Sequence, residues 1–235
     1  MPAVAAPSVV PATPALAPAA QPSEAEALAF VHAYSPTEIR RKSELVILQK
    51  NFVPGLRTSA EMNAMLDAFP ELGPELTKAI ASQIDIYIAE YDDRFYPRAA
   101  EIVRSSLSRN DVRALTAFYA SALGQKVLEL ASENVDGSEV MERAAKDEPV
   151  DSGVATRQAM RAGILTYGKL SVSEREEVRK LSTTPAGRNF LAVQPQLTAL
   201  ASELMNNPGP RFKASSEAAL AEAFKRVTGI DPANP

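Results

Sequence analysis

Residues 107–128, LSRNDVRALTAFYASALGQKVL, and residues 170–191, LSVSEREEVRKLSTTPAGRNFL, align without a gap at a constant offset of 63. Leu107, Ser108, Gly124 and Leu128 recur as Leu170, Ser171, Gly187 and Leu191. Asp111, Leu115, Phe118, Ser121 and Val127 recur as Glu174, Val178, Leu181, Thr184 and Phe190. The correspondence has a mechanical meaning. Ser108 with Asp111, and Ser171 with Glu174, are capping boxes, in which the serine oxygen and the acidic side chain satisfy amides that a helix start leaves unpaired. Leu115 with Phe118, and Val178 with Leu181, form the buried face of that helix. Ser121 and Thr184 then cap a second helix, with Pro185 in the first turn of one copy. Gly124 and Gly187 remove a side chain where the two helices meet. Each copy is a helix, a sharp corner and a helix, so the predicted fold is all-α: a helical bundle built from two related units plus N- and C-terminal helices. At this corner a leucine in place of Gly124 should overpack at a cost of about 1 to 3 kcal/mol, while alanine should be tolerated through its helix propensity.

Working outward, the punctuation stays helical. Ser23-x-x-Glu26 is a capping box, and Ser35-Pro36-Thr37-Glu38 reads as another with proline at the first helical position. Pro54-Gly55 stops the second helix, and a third spans about Thr58 to Phe69. Leu76, Ile80, Ile84, Tyr87, Tyr91 and Phe95 then mark one face of a single long helix. Ala155 to Tyr167 forms another helix, Phe190, Leu191, Leu197, Leu200 and Leu204 extend the last helix of the second unit, and Ser216 to Val227 docks a final helix stopped by Gly229. No segment passes the alternation test for a strand.

Four regions follow. Residues 1–22 hold six prolines, eight alanines and no charge, and read as a disordered tether that makes few contacts with the bundle. Residues 23–135 are a helical region with the first unit, 136–151 a polar linker, and 152–235 a helical region with the second unit and the C-terminal helix. The tether does not read as a complete secretory signal, having no Lys or Arg behind Met1 and an apolar stretch broken by proline, but Ala17-Pro18-Ala19 has the shape of a cleavage site, so the segment reads either as the remnant of a signal or as a Pro/Ala arm. No apolar window is long enough to span a membrane.

The family resemblance rests on the first unit. Leu107-Ser108, Asp111, Leu115, Phe118-Tyr119, Ser121, Gly124 and Lys126 resemble the signature of the bacterial domain of unknown function 2059 family, whose members usually read L-S-x-x-[DE], an apolar position, then F-[YF]-x-[ST]-P-x-G-x-[KR]. The resemblance covers residues 75 to 135, with a weaker echo from 152 to 205. Ala122 stands where the family mostly has proline; the second copy has that proline, Pro185, but carries Leu181-Ser182 in place of the aromatic pair. The resemblance implies an all-helical protein generally exported to the periplasm, and it implies no reaction.

Composition narrows the chemistry. The 235 residues contain 25 basic and 29 acidic side chains, 46% hydrophobic residues, one histidine and no cysteine. A net charge of -4 gives no polybasic excess to neutralise phosphates, which argues against nucleic acid. Absence of cysteine excludes disulfides, thiolate metal sites and catalytic thiols. No nucleophile elbow, phosphate loop or H-E-x-x-H motif occurs. His32, beside Tyr34, reads as a surface or partly packed histidine. Glu90, Asp92 and Asp93, near Asp85, form an acidic patch able in principle to hold a divalent cation, but Arg94 and Arg98 within one turn make it a solvated face. Arg40-Arg41-Lys42 and Arg157 with Arg161 are short basic clusters that read as solvated too, and Tyr119 and Lys126 either serve the core or face a groove between units.

The predicted assignment is therefore no catalytic, cofactor-binding or metal residue and no enzyme. The expected role is a noncatalytic periplasmic or cell-envelope protein that binds a protein or envelope component. The alternatives are a cytoplasmic location and a carrier holding an apolar ligand between helices, with an enzyme using Asp/Glu and Tyr as the weakest reading. One closed core would favour the interaction protein; an apolar cavity of several hundred Å³ would favour the carrier.

Overall fold

The computed structural model describes residues 20–146 and 148–231. Among the described residues there are twelve helices and no strand. They run α1 (Glu24–Tyr34), α2 (Thr37–Leu56), α3 (Ala60–Ala68), α4 (Leu72–Ala81), α5 (Ile84–Ser106), α6 (Arg109–Tyr119), α7 (Ala122–Glu133), α8 (Ser138–Ala145), α9 (Ser152–Lys169), α10 (Val172–Thr183), α11 (Pro185–Asn206) and α12 (Pro210–Thr228). The all-α expectation holds.

The capping boxes at Ser23, Ser108 and Ser171 all form. The offset of 63 is kept to the residue: α6 and α10 start 63 apart, and so do α7 and α11. Ser121 accepts the Gly124 N–H at 3.1 Å, and Thr184 accepts the Gly187 N–H at 3.0 Å. At both corners the glycine lies on the end of the preceding helix. A methyl group on Gly124 would overlap the Phe118 carbonyl oxygen and lie 2.7 Å from the Tyr119 Cα; on Gly187 it would overlap the Leu181 carbonyl oxygen and lie 3.0 Å from the Ser182 Cα. The expected tolerance for alanine at position 124 is thus corrected, because the opposing atoms are backbone and cannot swing away.

Other boundaries differ from expectation. Pro36 is the N-cap of α2 with no side-chain cap, since the Ser35 carbonyl and hydroxyl are taken by the Arg40 guanidinium. Pro54 and Gly55 lie inside α2, which continues to Leu56. The predicted long helix is two helices, interrupted at Ser82 and Gln83, where the Ser82 hydroxyl donates to the Ala79 carbonyl at 2.6 Å and competes with the backbone ladder.

That interruption divides the apolar stripe between two cores. The larger joins Phe30, Val31, Tyr91, Phe95, Val103, Leu115, Phe190, Leu197 and Leu200, drawn from both halves of the chain. The smaller joins Leu66, Leu72, Leu76 and Ala223, with Phe52, Leu220 and Phe224 packed against it. The two helical regions therefore share cores rather than standing apart. The 136–151 segment also departs from a plain linker. Its helix α8 lies on α2, where a methyl on Gly55 would stand 3.1 Å from the Met141 Cβ, and Val150 is buried. At the N-terminus, the Ala20 carbonyl accepts the Arg109 N–H at 2.8 Å and Pro22 is buried, so residues 20–22 are part of the fold. The rest of the predicted tether, 1–19, lies outside the described residues. Leu191 is exposed because it points away from the inward face of α11 formed by Phe190, Val193 and Leu197.

Candidate functional site

The side chains singled out in the sequence do not converge. His32 is exposed and rests on the Tyr96 ring, 3.8 Å between centroids. Tyr96 donates to the Ser35 carbonyl at 2.9 Å, and Asp92 accepts the Thr37 hydroxyl at 2.6 Å while paired with Arg40. Arg40 in turn covers the Tyr91 ring at 4.7 Å, so this network ties α1, α2 and α5 together. The acidic patch disperses. Asp85 pairs with Arg41, Asp92 with Arg40, and Glu90 turns to the start of α12, where it accepts the Arg211 and Phe212 N–H groups at 3.1 and 2.9 Å. Burial acts against the Glu90 charge, but these donors and the Arg211 guanidinium outweigh it and hold its carboxyl below the usual range. Among the described residues no group of three or more His, Cys, Asp or Glu could hold a metal ion.

The basic clusters disperse likewise. Lys42 meets Glu133 at 2.8 Å, Arg157 meets Glu139 at 2.6 Å, and Arg161 lies 3.8 Å from Asp136. Arg94 donates to the Asn207 carbonyl, and Arg98 grips Glu203 through two bonds of 2.7 Å. Tyr119 belongs to a four-ring cluster with Phe30, Tyr34 and Phe190, each ring within 6.2 Å of the others, and burial raises its phenol. Lys126 crosses to the second unit and meets Glu174 at 2.7 Å, in the capping box of α10.

Two features remain that residue patterns did not pick out. The first is a cleft of about 550 Å³ between the two cores, at the α4–α5 interruption, walled by Leu48, Ile84, Tyr87, Met141, Val150 and Phe212 and bordered by Glu44. The Asn206 side chain holds that wall by bonding both the Val150 N–H, at 2.8 Å, and the Val150 carbonyl, at 2.9 Å. Burial pushes the Glu44 carboxyl up to about 7, with Arg40 pulling the other way. Nothing near Glu44 in sequence announces this, since the cleft forms from helices far apart along the chain. The second feature is apolar exposure. Of the seven large hydrophobic residues exposed among the described residues, six lie between positions 160 and 191: Met160, Ile164, Leu165, Tyr167, Val172 and Leu191. Met160, Ile164 and Tyr167 follow helical spacing on α9, which in a sequence looks the same whether the covering surface is the protein's own or a partner's.

The model of the domain of unknown function 2059 family, described as "Uncharacterized protein conserved in bacteria (DUF2059)", matches residues 93–146, which run from the middle of α5 through the first corner and α8. The second corner lies beyond it. No curated protein and no solved structure matches this chain.

Proposed function

We propose that this protein works without catalysis, in the cell envelope, by presenting the outer face of α9 to a helix of a partner protein. The observation that carries the reading is the concentration of exposed apolar side chains on α9–α11, with Ile164 66% and Val172 82% accessible. Patches of this kind on an otherwise polar surface mark interaction sites. A helical partner fits because Ala159, Gly163 and Gly168 interleave with Met160, Ile164 and Tyr167, and a methyl on either glycine would meet nothing within 4 Å. Small residues allow a second helix to approach closely. A protein is favoured over anionic lipid because the cations bordering the stripe are already engaged: Arg157 and Arg161 by Glu139 and Asp136, Lys169 by Asn134, and Arg175 by the Leu170 carbonyl. An envelope location is supported by the exported character that the family resemblance implies. We also infer that the two corners are copies of one unit, supported by their shared caps and glycines.

A photo-crosslinking residue at position 164, in cells of the native host, tests the interface, with Lys213 on α12 as the control position. A discrete protein adduct at 164, absent at 213 and lost in Met160→Glu, is expected. Adducts to lipid, to a second copy of the chain, or to nothing would overturn the reading. Met160→Glu should change stability by less than about 0.5 kcal/mol, as for other exposed positions, so loss of the adduct would not report unfolding.

A further inference from the structure

We infer that the cleft between the two cores is a binding site for a small organic cation with an apolar body, oriented by Glu44. This inference is independent of the α9 interface and concerns the opposite kind of surface, a concave one. Its volume of about 550 Å³ is that of a site for a small molecule rather than a packing defect. Its walls are aliphatic and aromatic, and Met141 and Met205 supply adaptable thioether surface at its edge.

The charge of the lining sets the ligand class. Among the described residues the charged side chains lining the cleft are Glu44 and the exposed Glu148; no Lys or Arg contributes. Arg40, one turn before Glu44, is committed to Asp92 and to the Ser35 carbonyl. The Glu44 side chain makes no hydrogen bond or ion pair with any described residue, and the charge acting on it is Arg40. A carboxyl at the edge of an apolar cleft without a partner is held in an unfavourable state, as its raised pKa expresses, and a cation placed against it relieves that cost. The aromatic faces agree in sign. Tyr87 and Phe212 both line the cleft with ring centroids 5.1 Å apart, and π-faces attract an ammonium group. An anion would meet two carboxyl groups and no Lys or Arg, and a neutral apolar molecule would leave Glu44 as it is. The matching ligand is an alkyl or aryl ammonium whose chain fills the apolar walls and whose head reaches Glu44.

Titration calorimetry of the full chain with octylamine, octanol and octanoate at neutral pH tests this. Octylammonium should bind at one site at least about tenfold more tightly than octanol, the scale of one charge-assisted contact, with octanoate weakest. Glu44→Gln should bring octylammonium down to the affinity of octanol while leaving octanol unchanged. Ala144→Trp, which places bulk at the lining, should weaken both, with helicity by circular dichroism unaltered. Equal affinity for the amine and the alcohol, or an amine preference that survives Glu44→Gln, would overturn the inference. Ile164→Glu serves as the separating control: binding that disappears there sits on the α9 face, and the cleft proposal falls while the interface reading is untouched.

Discussion

The two corners, α6–α7 and α10–α11, have the same caps, the same glycine against the same backbone carbonyl, and the same spacing, yet their first helices, α6 and α10, are buried to very different degrees. In α6, Asp111, Val112 and Leu115 are buried, and the helix packs against α1 and α11. In α10 no residue is buried, Val178 and Leu181 are half-covered, and the surface is a run of Glu, Arg and Lys. The difference teaches that caps and glycines determine the local bend, whereas the residues between them decide whether the helix entering the bend is a core element or a strut. The position of Val112 in the first corner is taken by Arg175 in the second, which bonds the Leu170 and Gly168 carbonyls instead of entering a core. The first corner is the one inside the family match, and the second carries the approach to the exposed apolar face.

The sharpest way to break this contrast is to empty the matching position in both corners. Leu115 is fully buried, so Leu115→Ala should cost about 2 to 5 kcal/mol through lost burial and the cavity left behind. Val178→Ala removes a half-exposed side chain and should cost less than about 1 kcal/mol. Urea denaturation of both variants measures the difference. Equal losses would mean that α10 is buried by something other than the chain itself and would erase the core-against-strut distinction.

The glycines should behave alike where the leucine and valine do not. Gly124→Ala and Gly187→Ala each force a methyl into a backbone carbonyl, and each should destabilise by about 1 to 3 kcal/mol, the cost of overpacking. Helix propensity acts in the opposite direction, favouring alanine by less than about 1 kcal/mol, and it loses because neither Phe118 nor Leu181 can withdraw its carbonyl without unwinding its helix. Matching losses in thermal melts would support one unit used twice. A neutral Gly187→Ala beside a damaging Gly124→Ala would show that the second corner yields, and that its likeness to the first stops at the caps.

Much of this architecture is legible in the sequence, because it is local. Ser108 with Asp111, Ser171 with Glu174, and Gly229 at a φ of 73° after α12 carry their geometry in three or four adjacent residues. What depends on distant packing is not legible. The stripe from Leu76 to Phe95 keeps helical spacing across the break at Ser82–Gln83, since neither residue is a breaker by type and the two cores, not the sequence, reward the bend. Glu44 lines a cleft only because α2, α5, α8 and α12 meet there, and the outer face of α9 is exposed only because no other described element covers it. Lys126 is legible as part of a motif, but its partner Glu174, 48 residues away, is not.

That pair gives the smallest effect and the subtlest test of how the corners are joined. Glu174 is a capping residue and also the acceptor of Lys126, and Lys126 first, then the Ser171 N–H, hold its carboxyl at about 2, below its ordinary value of 4.5. A carboxyl depressed in the folded state contributes stability that is present above the ordinary value and is lost as pH falls through the folded one. The contribution should therefore be intact at neutral pH and disappear between about pH 4.5 and 2, the values bounding the shift. Both side chains are partly exposed, so salt should weaken the Lys126 share while leaving the cap. Lys126→Met should cost at most about 1 kcal/mol at low salt, as exposed pairs do, and the difference from wild type should shrink at high salt. Glu174→Gln removes the charge from both contacts, so it should flatten part of the acid limb of the stability curve as well. An acid limb unchanged by Glu174→Gln would mean that the second corner is capped by its serine alone and that the two units are joined through their cores rather than through this bridge.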